Sequence, residues 1–260
     1  MSPVLKALRV LRSDRRGSSL PVLVETAEGP RFVKLRGAAQ GLAALVAEVL
    51  VSAIAASLDL PVPARCLIRI EPDLPSADPD AELADLLRAS AGENLGFQYL
   101  EGARALHLSE VDRVDQDFAS RVVWLDWLVM NPDRSPRNPN ILVHDGRWWL
   151  IDHGAALPFH HDWSAVTEDA PGRPAPVTPH VLASRATRLN EWDSRLTQLL
   201  TRERLQEAVG EIPDSFLRPL LPPGPGSTTG ARRRAAYVAF LWKRLHSVRR
   251  FDTAPLPRSA

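Results

Sequence analysis

Two short apolar runs joined by Asp145-Gly146 leave the middle of this chain few alternatives to an antiparallel hairpin. The runs extend from Ile141 to His144 and from Arg147 to Ile151. Asp-Gly is typical of a two-residue type I′ turn, because both central residues of that turn need a positive φ. The sequence therefore predicts a tight hairpin over residues 141–151.

The register of this hairpin brings two polar side chains together. If the turn holds two residues, His144 pairs with Arg147, and counting outward along the ladder puts Asn140 opposite Ile151. Asp152 is then a neighbour of Asn140 at the open end of the hairpin. A carboxylate and an amide oxygen suit a hard cation such as Mg²⁺, which completes its coordination with water and phosphate oxygens. The sequence thus predicts a magnesium site at this end.

A third polar residue, Asp133, follows a helix that we predict over residues 118–130. That segment has apolar residues on nearly every face, which is typical of a helix at the centre of a lobe. A carboxylate on the loop after such a helix could orient an attacking hydroxyl group or accept its proton. The alternative is structural, with Asp133 and Asn140 as turn formers beside prolines and Asp152 as a capping residue. The order helix, Asp, Asn, hairpin, Asp-x-Gly favours the functional interpretation.

Glu48 is the only charged residue in an otherwise apolar helix that we predict over residues 42–58. Burying a carboxylate there is costly unless a partner compensates its charge. The nearest preceding candidate is Lys34, on an apolar run from Arg31 to Leu35 that forms a predicted hairpin with Pro21 to Glu25. Kinases use a strand lysine and a helix glutamate to hold the α- and β-phosphates of ATP. A solvated lysine and a rim glutamate are the alternative.

Two segments resemble the catalytic and metal-binding segments of HipA-like kinases, and more distantly those of phosphatidylinositol kinases. The first, Asn131 to Val143, reads Asn-Pro-Asp-Arg-Ser-Pro-Arg-Asn-Pro-Asn-Ile-Leu-Val. The second, Leu150 to Gly154, reads Leu-Ile-Asp-His-Gly. The order of the motifs is specific, although each motif is short.

The resemblance implies that Asp133 is the catalytic aspartate and that Asn140 and Asp152 hold magnesium. It also implies that Lys34 and Glu48 form the ion pair that positions the phosphates. ATP and Mg²⁺ are the expected cofactors, and the expected acceptor is a hydroxyl group, that of a protein serine or threonine as in HipA-like kinases. A small-molecule kinase and a nucleotide-binding module without turnover are the competing interpretations.

The chain departs from the relatives in three places. They often have histidine where this chain has Ser135, and a shorter interval between the catalytic aspartate and the asparagine, which would select Asn138. We prefer Asn140 because Ile-Leu-Val follows it directly, and Asn138 is the second candidate. The phosphate-covering loop is expected at Gly17-Ser18-Ser19, which offers N–H and hydroxyl donors without a full glycine signature.

The predicted fold class is α+β, in a bilobal protein-kinase-like arrangement. A strand-rich N-terminal lobe would comprise residues 1–100, and a mainly helical C-terminal lobe residues 101–260, with helical patterns near 184–208 and 231–250. In kinase-like folds the strand that leaves the small lobe offers backbone hydrogen bonds to adenine. Gln98, Tyr99 and Leu100, at the end of a strand predicted over residues 95–100, are therefore the expected base-binding residues.

Charge and composition argue against several partners. The chain has 32 basic and 31 acidic residues and a net charge of +1, so no global field favours nucleic acid or an anionic membrane. Residues 1–12 lack the apolar core of a signal peptide, and the longest apolar stretch is interrupted by Glu48. We expect a cytoplasmic protein, with Cys66 as a buried structural thiol and His160-His161-Asp162 on the surface.

Overall fold

The computed structural model describes residues 4–13, 20–38, 41–174, 180–218, 230–249 and 251. Its larger sheet has six strands: β1 (Val4–Lys6), β2 (Arg9–Ser13), β3 (Val22–Glu25), β4 (Arg31–Lys34), β5 (Arg65–Ile70) and β6 (Gly92–Gln98). Two helices accompany this sheet, α1 (Gly41–Ser57) and α2 (Ala81–Ala89). The strand order is β1-β5-β6-β4-β3-β2.

The larger sheet curls on itself because consecutive strands pair at its opposite edges. β1 runs parallel to β5, whereas β2 runs antiparallel to β3. Between them, Ala7 N–H donates to the Arg69 carbonyl and Leu8 N–H donates to the Glu25 carbonyl, both at 2.9 Å. The curled sheet and α2 enclose a small apolar core. The half-buried Cys66 packs against this core, so the thiol that we expected to be buried is only partly enclosed.

Helix α1 is buried on every side from Leu45 to Ala55, as its uniformly apolar sequence predicts. It packs against β6 and against two helices from the other part of the chain, α5 (Arg202–Gly210) and α6 (Asp214–Leu217). A helix held on several sides fixes the direction of each of its side chains. The orientation of Glu48 is therefore set by the packing of the whole helix.

The remainder of the described chain is mainly helical. Its other α-helices are α3 (Gln116–Leu128), α4 (Leu189–Leu199) and α7 (Ala231–Leu245), and short 3-10 helices occur in the connections. Its small sheet contains β7 (Arg104–Ala105), β8 (Ile141–His144) and β9 (Arg147–Leu150). Helix α3 lies at the centre, where Trp124, Leu125 and Leu128 have no exposed surface. It packs against α4 and α7, so the loop that follows it starts from a rigid support.

The predicted hairpin is confirmed in type and register. His144 pairs with Arg147, and the turn residues Asp145 and Gly146 have φ values of 49° and 71°, as a type I′ turn requires. Ile151 N–H donates to the Asn140 carbonyl at 3.1 Å, which extends the pairing beyond the strands. Asn140 therefore lies opposite Ile151 at the open end of the hairpin, and Asp152 is the residue that follows Ile151.

Several predicted boundaries were wrong. The helical pattern near 184–208 is divided between α4 and α5, because Thr201 leaves the helical conformation and its hydroxyl accepts the Arg204 N–H. Helix α7 ends at Leu245 rather than near residue 250. Strand β6 ends at Gln98, before Tyr99 and Leu100. Among the described residues, no helix is both long and apolar enough to cross a membrane.

His160 is buried, contrary to its predicted place on the surface. Its Nδ1 lies 3.0 Å from the Tyr237 hydroxyl, and its ring packs edge-on against that tyrosine. Burial, with the charges of His161 and Arg233 nearby, lowers the pKa of His160 to about 3. The sequence around His160 did not predict this burial, because the hydrogen-bonding partner Tyr237 belongs to α7, 77 positions further along the chain.

The buried His160 is expected to make the protein less stable in mild acid. Its folded pKa lies below the unfolded value near 6.5, so the unfolded state binds the extra proton as the pH falls from about 6.5 towards 3. Between pH 7 and pH 5 this residue should cost about 2 kcal/mol of unfolding free energy. Urea unfolding of wild type and His160→Phe at both pH values measures the difference. An equal pH dependence in the two proteins would contradict the prediction.

Candidate active site

The structure brings Lys34 and Glu48 into the ion pair that the sequence predicts. Lys34 Nζ lies 2.5 Å from Glu48 Oε1, and Glu48 has no exposed surface. Side chains alternate along β4, so Val33 points into the small core while Lys34 points towards α1. The second oxygen of Glu48 accepts the His153 N–H at 3.0 Å. The carboxylate thereby links β4 to the segment that follows β9.

Asp152 joins the same cluster from the far end of the sequence. Its Oδ1 lies 2.5 Å from Lys34 Nζ, and 38% of its side chain is exposed. Its backbone has a φ of 56°, a left-handed conformation that non-glycine residues rarely adopt. Lys34 therefore contacts a fully buried carboxylate on one side and a solvent-accessible carboxylate on the other. Lys34, Glu48 and Asp152 line a cleft between β4, α1 and the segment after β9. A ligand that enters this cleft could reach both the ammonium group and Asp152.

The cluster is strongly charged. Burial disfavours the Lys34 ammonium, but Glu48 and Asp152 outweigh that effect and raise the pKa of Lys34. Burial likewise disfavours the Asp152 carboxylate, yet Lys34 holds the pKa of Asp152 below its ordinary value. Burial raises the pKa of Glu48, and Lys34 and the His153 N–H oppose that rise. Lys34 thus keeps its positive charge at neutral pH and can meet an anionic ligand.

Asp133 lies beside both candidate asparagines. Its Oδ2 accepts a hydrogen bond from Asn138 Nδ2 at 2.9 Å and another from Asn140 Nδ2 at 3.2 Å. Asn138 is exposed, whereas Asn140 is buried and has a φ of 50°. Because Asn140 also pairs with Ile151 in the ladder, it is the one that the hairpin fixes beside Asp152. The choice of Asn140 over Asn138 as metal ligand stays a prediction.

The other predicted nucleotide-binding residues fall between β2 and β3 and at the end of β6. Gly17, Ser18 and Ser19 lie outside the described residues, in the connection between β2 and β3. Gln98 ends β6 and pairs with Arg31 of β4, the strand that carries Lys34. Tyr99 and Leu100 then lead into a turn. The expected base-binding segment thus leaves the sheet beside the strand of the ion pair.

Sequence reasoning missed a buried polar network beneath Asp133. Arg134 is 1% exposed, and its Nε donates to Asp126 Oδ2 at 2.6 Å. His180 Nε2 lies 2.9 Å from the same oxygen, and His153 Nδ1 lies 3.3 Å from Arg134 Nη2. Asp126 is a carboxylate in a buried helix, so the argument that singled out Glu48 applied to it equally. Its partners could not be inferred, because His180 comes from a distant segment.

The charges in this network are mutually compensated. Burial works against the charge of Asp126, but Arg134 and His180 hold the pKa of that carboxyl well below its usual range. Burial and the neighbouring guanidinium lower the pKa of His153 to about 3. The neutral His153 ring can therefore accept a hydrogen bond from Arg134 at neutral pH.

Comparisons with known proteins identify a family and a fold for this chain. The model of the HipA-like kinase family matches residues 7–218. No curated protein matches the chain. Among solved structures, the chain is similar to the Helicobacter pylori proinflammatory kinase CtkA, with a TM-score of 0.52 and 10% sequence identity over 94% of this chain and 93% of that one. This likeness shows the kinase-like α+β fold, with a curled, strand-rich part and a helical part. From the match over most of its length, the chain belongs to the HipA-like kinase family.

Proposed function

We propose that the chain transfers the γ-phosphoryl group of ATP, with magnesium, to an acceptor hydroxyl group. The observation that carries this proposal is the position of Lys34 between the buried Glu48 and the accessible Asp152. This arrangement holds a permanent positive charge at the edge of a cleft. Phosphoryl transfer depends on such positioning and charge neutralisation more than on covalent chemistry.

The side chains present suit magnesium. Asn140 directs its amide nitrogen to Asp133, which leaves its oxygen for a cation, and Asp152 offers a carboxylate that is accessible to solvent. Two protein oxygens are few, as expected for an ion that keeps water and binds phosphate oxygens. When bound, the ion would neutralise charge that develops on the phosphates. Asn138, whose amide nitrogen also faces Asp133, is the alternative ligand.

Asp133 is the proposed catalytic aspartate. Two amide groups fix one of its oxygens, so the orientation of the carboxylate is set before an acceptor arrives. A carboxylate held in this way can align an acceptor hydroxyl group and take its proton during transfer. The family makes a protein serine or threonine the proposed acceptor, and a small molecule is the alternative. A module that binds nucleotide without turnover would not need this aspartate.

The test is direct. Pure protein would be incubated with ATP labelled at the γ-phosphate and Mg²⁺, in the presence of a cell lysate or of a metabolite pool. Label on a protein band supports a protein acceptor, and label on a small molecule supports the alternative acceptor. Nucleotide binding without consumption of ATP under every condition would refute the proposed function in favour of a non-catalytic module.

Asp152→Asn is expected to weaken magnesium-dependent ATP binding by about tenfold or more, because it removes the anionic oxygen of the proposed site. The fold should persist, since asparagine tolerates the left-handed backbone of residue 152. Titration of ATP at several Mg²⁺ concentrations measures the effect. Asp145→Asn, an exposed change at the opposite end of the same hairpin, is the matched control and should behave as wild type. Unchanged magnesium dependence in Asp152→Asn would mean that the metal is held elsewhere.

A further inference from the structure

We infer that Arg134 is a positioning residue that holds the two predicted metal ligands, Asn140 and Asp152, in their binding conformation. The inference rests on the proposed function, because it concerns the same magnesium site. Arg134 would not touch metal or nucleotide itself, since its side chain is buried beneath the loop.

Arg134 bridges the two sides of the open end of the hairpin. Its Nη1 donates to the carbonyl of Asn140 at 2.5 Å and lies 3.5 Å from the carbonyl of Ile151. The first carbonyl belongs to one predicted ligand residue. The second belongs to the peptide group that leads directly into Asp152. One guanidinium nitrogen therefore restrains the backbone on both sides of the site.

Both restrained residues have a left-handed backbone conformation, which asparagine and aspartate tolerate better than most residues but adopt in a minority of cases. Asn140 has a φ of 50° and Asp152 a φ of 56°. Non-glycine residues keep such angles when surrounding contacts hold them, and these conformations concentrate at functional sites. Here the hydrogen bond from the Ile151 N–H to the Asn140 carbonyl supplies one such contact, and the Arg134 guanidinium supplies others.

The guanidinium is itself firmly anchored. Asp126 of α3 accepts from Arg134 Nε at 2.6 Å, and it also accepts from Asn131 Nδ2 at 2.9 Å. His180 Nε2 lies 2.9 Å from the same carboxylate. Because both charges are buried, separating them would leave each uncompensated. Arg134 therefore connects the end of the hairpin to helix α3, which is firmly packed.

Arginine is suited to this task in a way that lysine is not. Its planar fork donates in several fixed directions at once, whereas an ammonium group is a compact charge on a flexible stem. In this protein the fork serves Asp126, the Asn140 carbonyl and, through Nη2, the ring of His153. Lysine could keep the charge pair with Asp126, but it could not serve all three partners together. Arg134→Lys therefore separates charge compensation from positioning.

Arg244 offers a matched control within the same chain. It is the other fully buried arginine among the described residues, and it also donates to backbone carbonyls, including those of Trp127 and Leu128. Neither Asn140 nor Ile151 is among its partners. Arg244→Lys should therefore lower stability without changing the magnesium requirement.

The experiment compares wild type, Arg134→Lys and Arg244→Lys by thermal unfolding and by binding of ATP across a range of Mg²⁺ concentrations. Arg134→Lys should need on the order of tenfold more magnesium for half-maximal binding, because loss of an orienting partner commonly costs this much. Binding of ATP without magnesium should change by less than about threefold in both variants. Turnover by Arg134→Lys, where measured, should recover as magnesium is raised.

The outcomes separate the inference from the proposed function. A folded Arg134→Lys protein with the wild-type magnesium requirement refutes the positioning role while the proposed function stands. An equal rise in the requirement for Arg244→Lys also refutes it, because the effect would then follow general stability. If Arg134→Lys does not fold, Arg134→Met/Asp126→Leu, which buries no unpaired charge, replaces it under the same criteria. Wild type without magnesium-dependent ATP binding refutes the proposed function and this role together.

Discussion

Replacing Asp133 with alanine is expected to lower the rate of phosphoryl transfer by on the order of 10²-fold or more while nearly preserving the affinity for ATP. The reason is its position on the loop after α3, where two asparagine amides hold the carboxylate. The ammonium group that would hold the phosphates is a different one, that of Lys34, which pairs with Glu48 and Asp152. An interaction made with the acceptor hydroxyl group contributes to the transition state and little to nucleotide binding. Binding and turnover should therefore separate.

The Asp133→Asn variant is the matched control for loop structure. It keeps an oxygen that can accept the amides of Asn138 and Asn140, but it removes the negative charge and the basic oxygen. Both variants should bind ATP, as measured by calorimetry, and both should show the large loss of turnover in the labelled-ATP assay. Parallel loss of binding and turnover in both would instead identify Asp133 as a residue that shapes the loop. Full turnover in Asp133→Asn would exclude a role in proton transfer.

Lys34→Met is expected to lower the unfolding free energy by about 3–5 kcal/mol at pH 7 and to abolish measurable turnover. Glu48 has no exposed surface, so removing its cationic partner leaves an uncompensated charge inside α1. The same change removes the positive group that is proposed to position the phosphates. Chemical denaturation measures the first effect, and the labelled-ATP assay measures the second.

Two further variants identify the cause of the instability. Lys34→Met/Glu48→Gln neutralises both partners, and its amide oxygen can still accept the His153 N–H, so it should recover most of the lost stability without recovering turnover. Arg173→Met breaks an exposed pair with Asp169 and should leave the unfolding midpoint nearly unchanged. A Lys34→Met protein as stable as wild type would show that Glu48 does not depend on this ion pair.

Interactions between near neighbours in the chain could be predicted without the structure. The Asp145-Gly146 turn determined the hairpin register, because the strand period and the turn geometry leave one pairing that buries the apolar residues. The same reasoning placed Asn140 at the open end. Glu48 stood out because a carboxylate in an apolar helix requires a partner, and Lys34 was close enough in sequence to be proposed as that partner.

Contacts between distant segments needed the tertiary structure. The direct contact between Lys34 and Asp152 spans 118 positions, and no local pattern specifies which carboxylate meets which ammonium group. The curled sheet was not predicted for a similar reason. The segment 4–13 is short, charged and partly exposed, and it forms strands only because it pairs with β3 and β5.

The buried network around Arg134 is the clearest case of contacts that the sequence does not predict. In the sequence, Arg134 is one charged residue in a polar loop, and surface exposure is the usual state of such a residue. It is buried because three parts of the chain supply its partners. Asp126 lies on α3, His180 belongs to a distant segment, and the end of the hairpin supplies two carbonyl groups. Local chemistry thus determined which residues could form the site. Packing decided which of them meet, because the cost of burying each charge is compensated only by partners that the fold brings together.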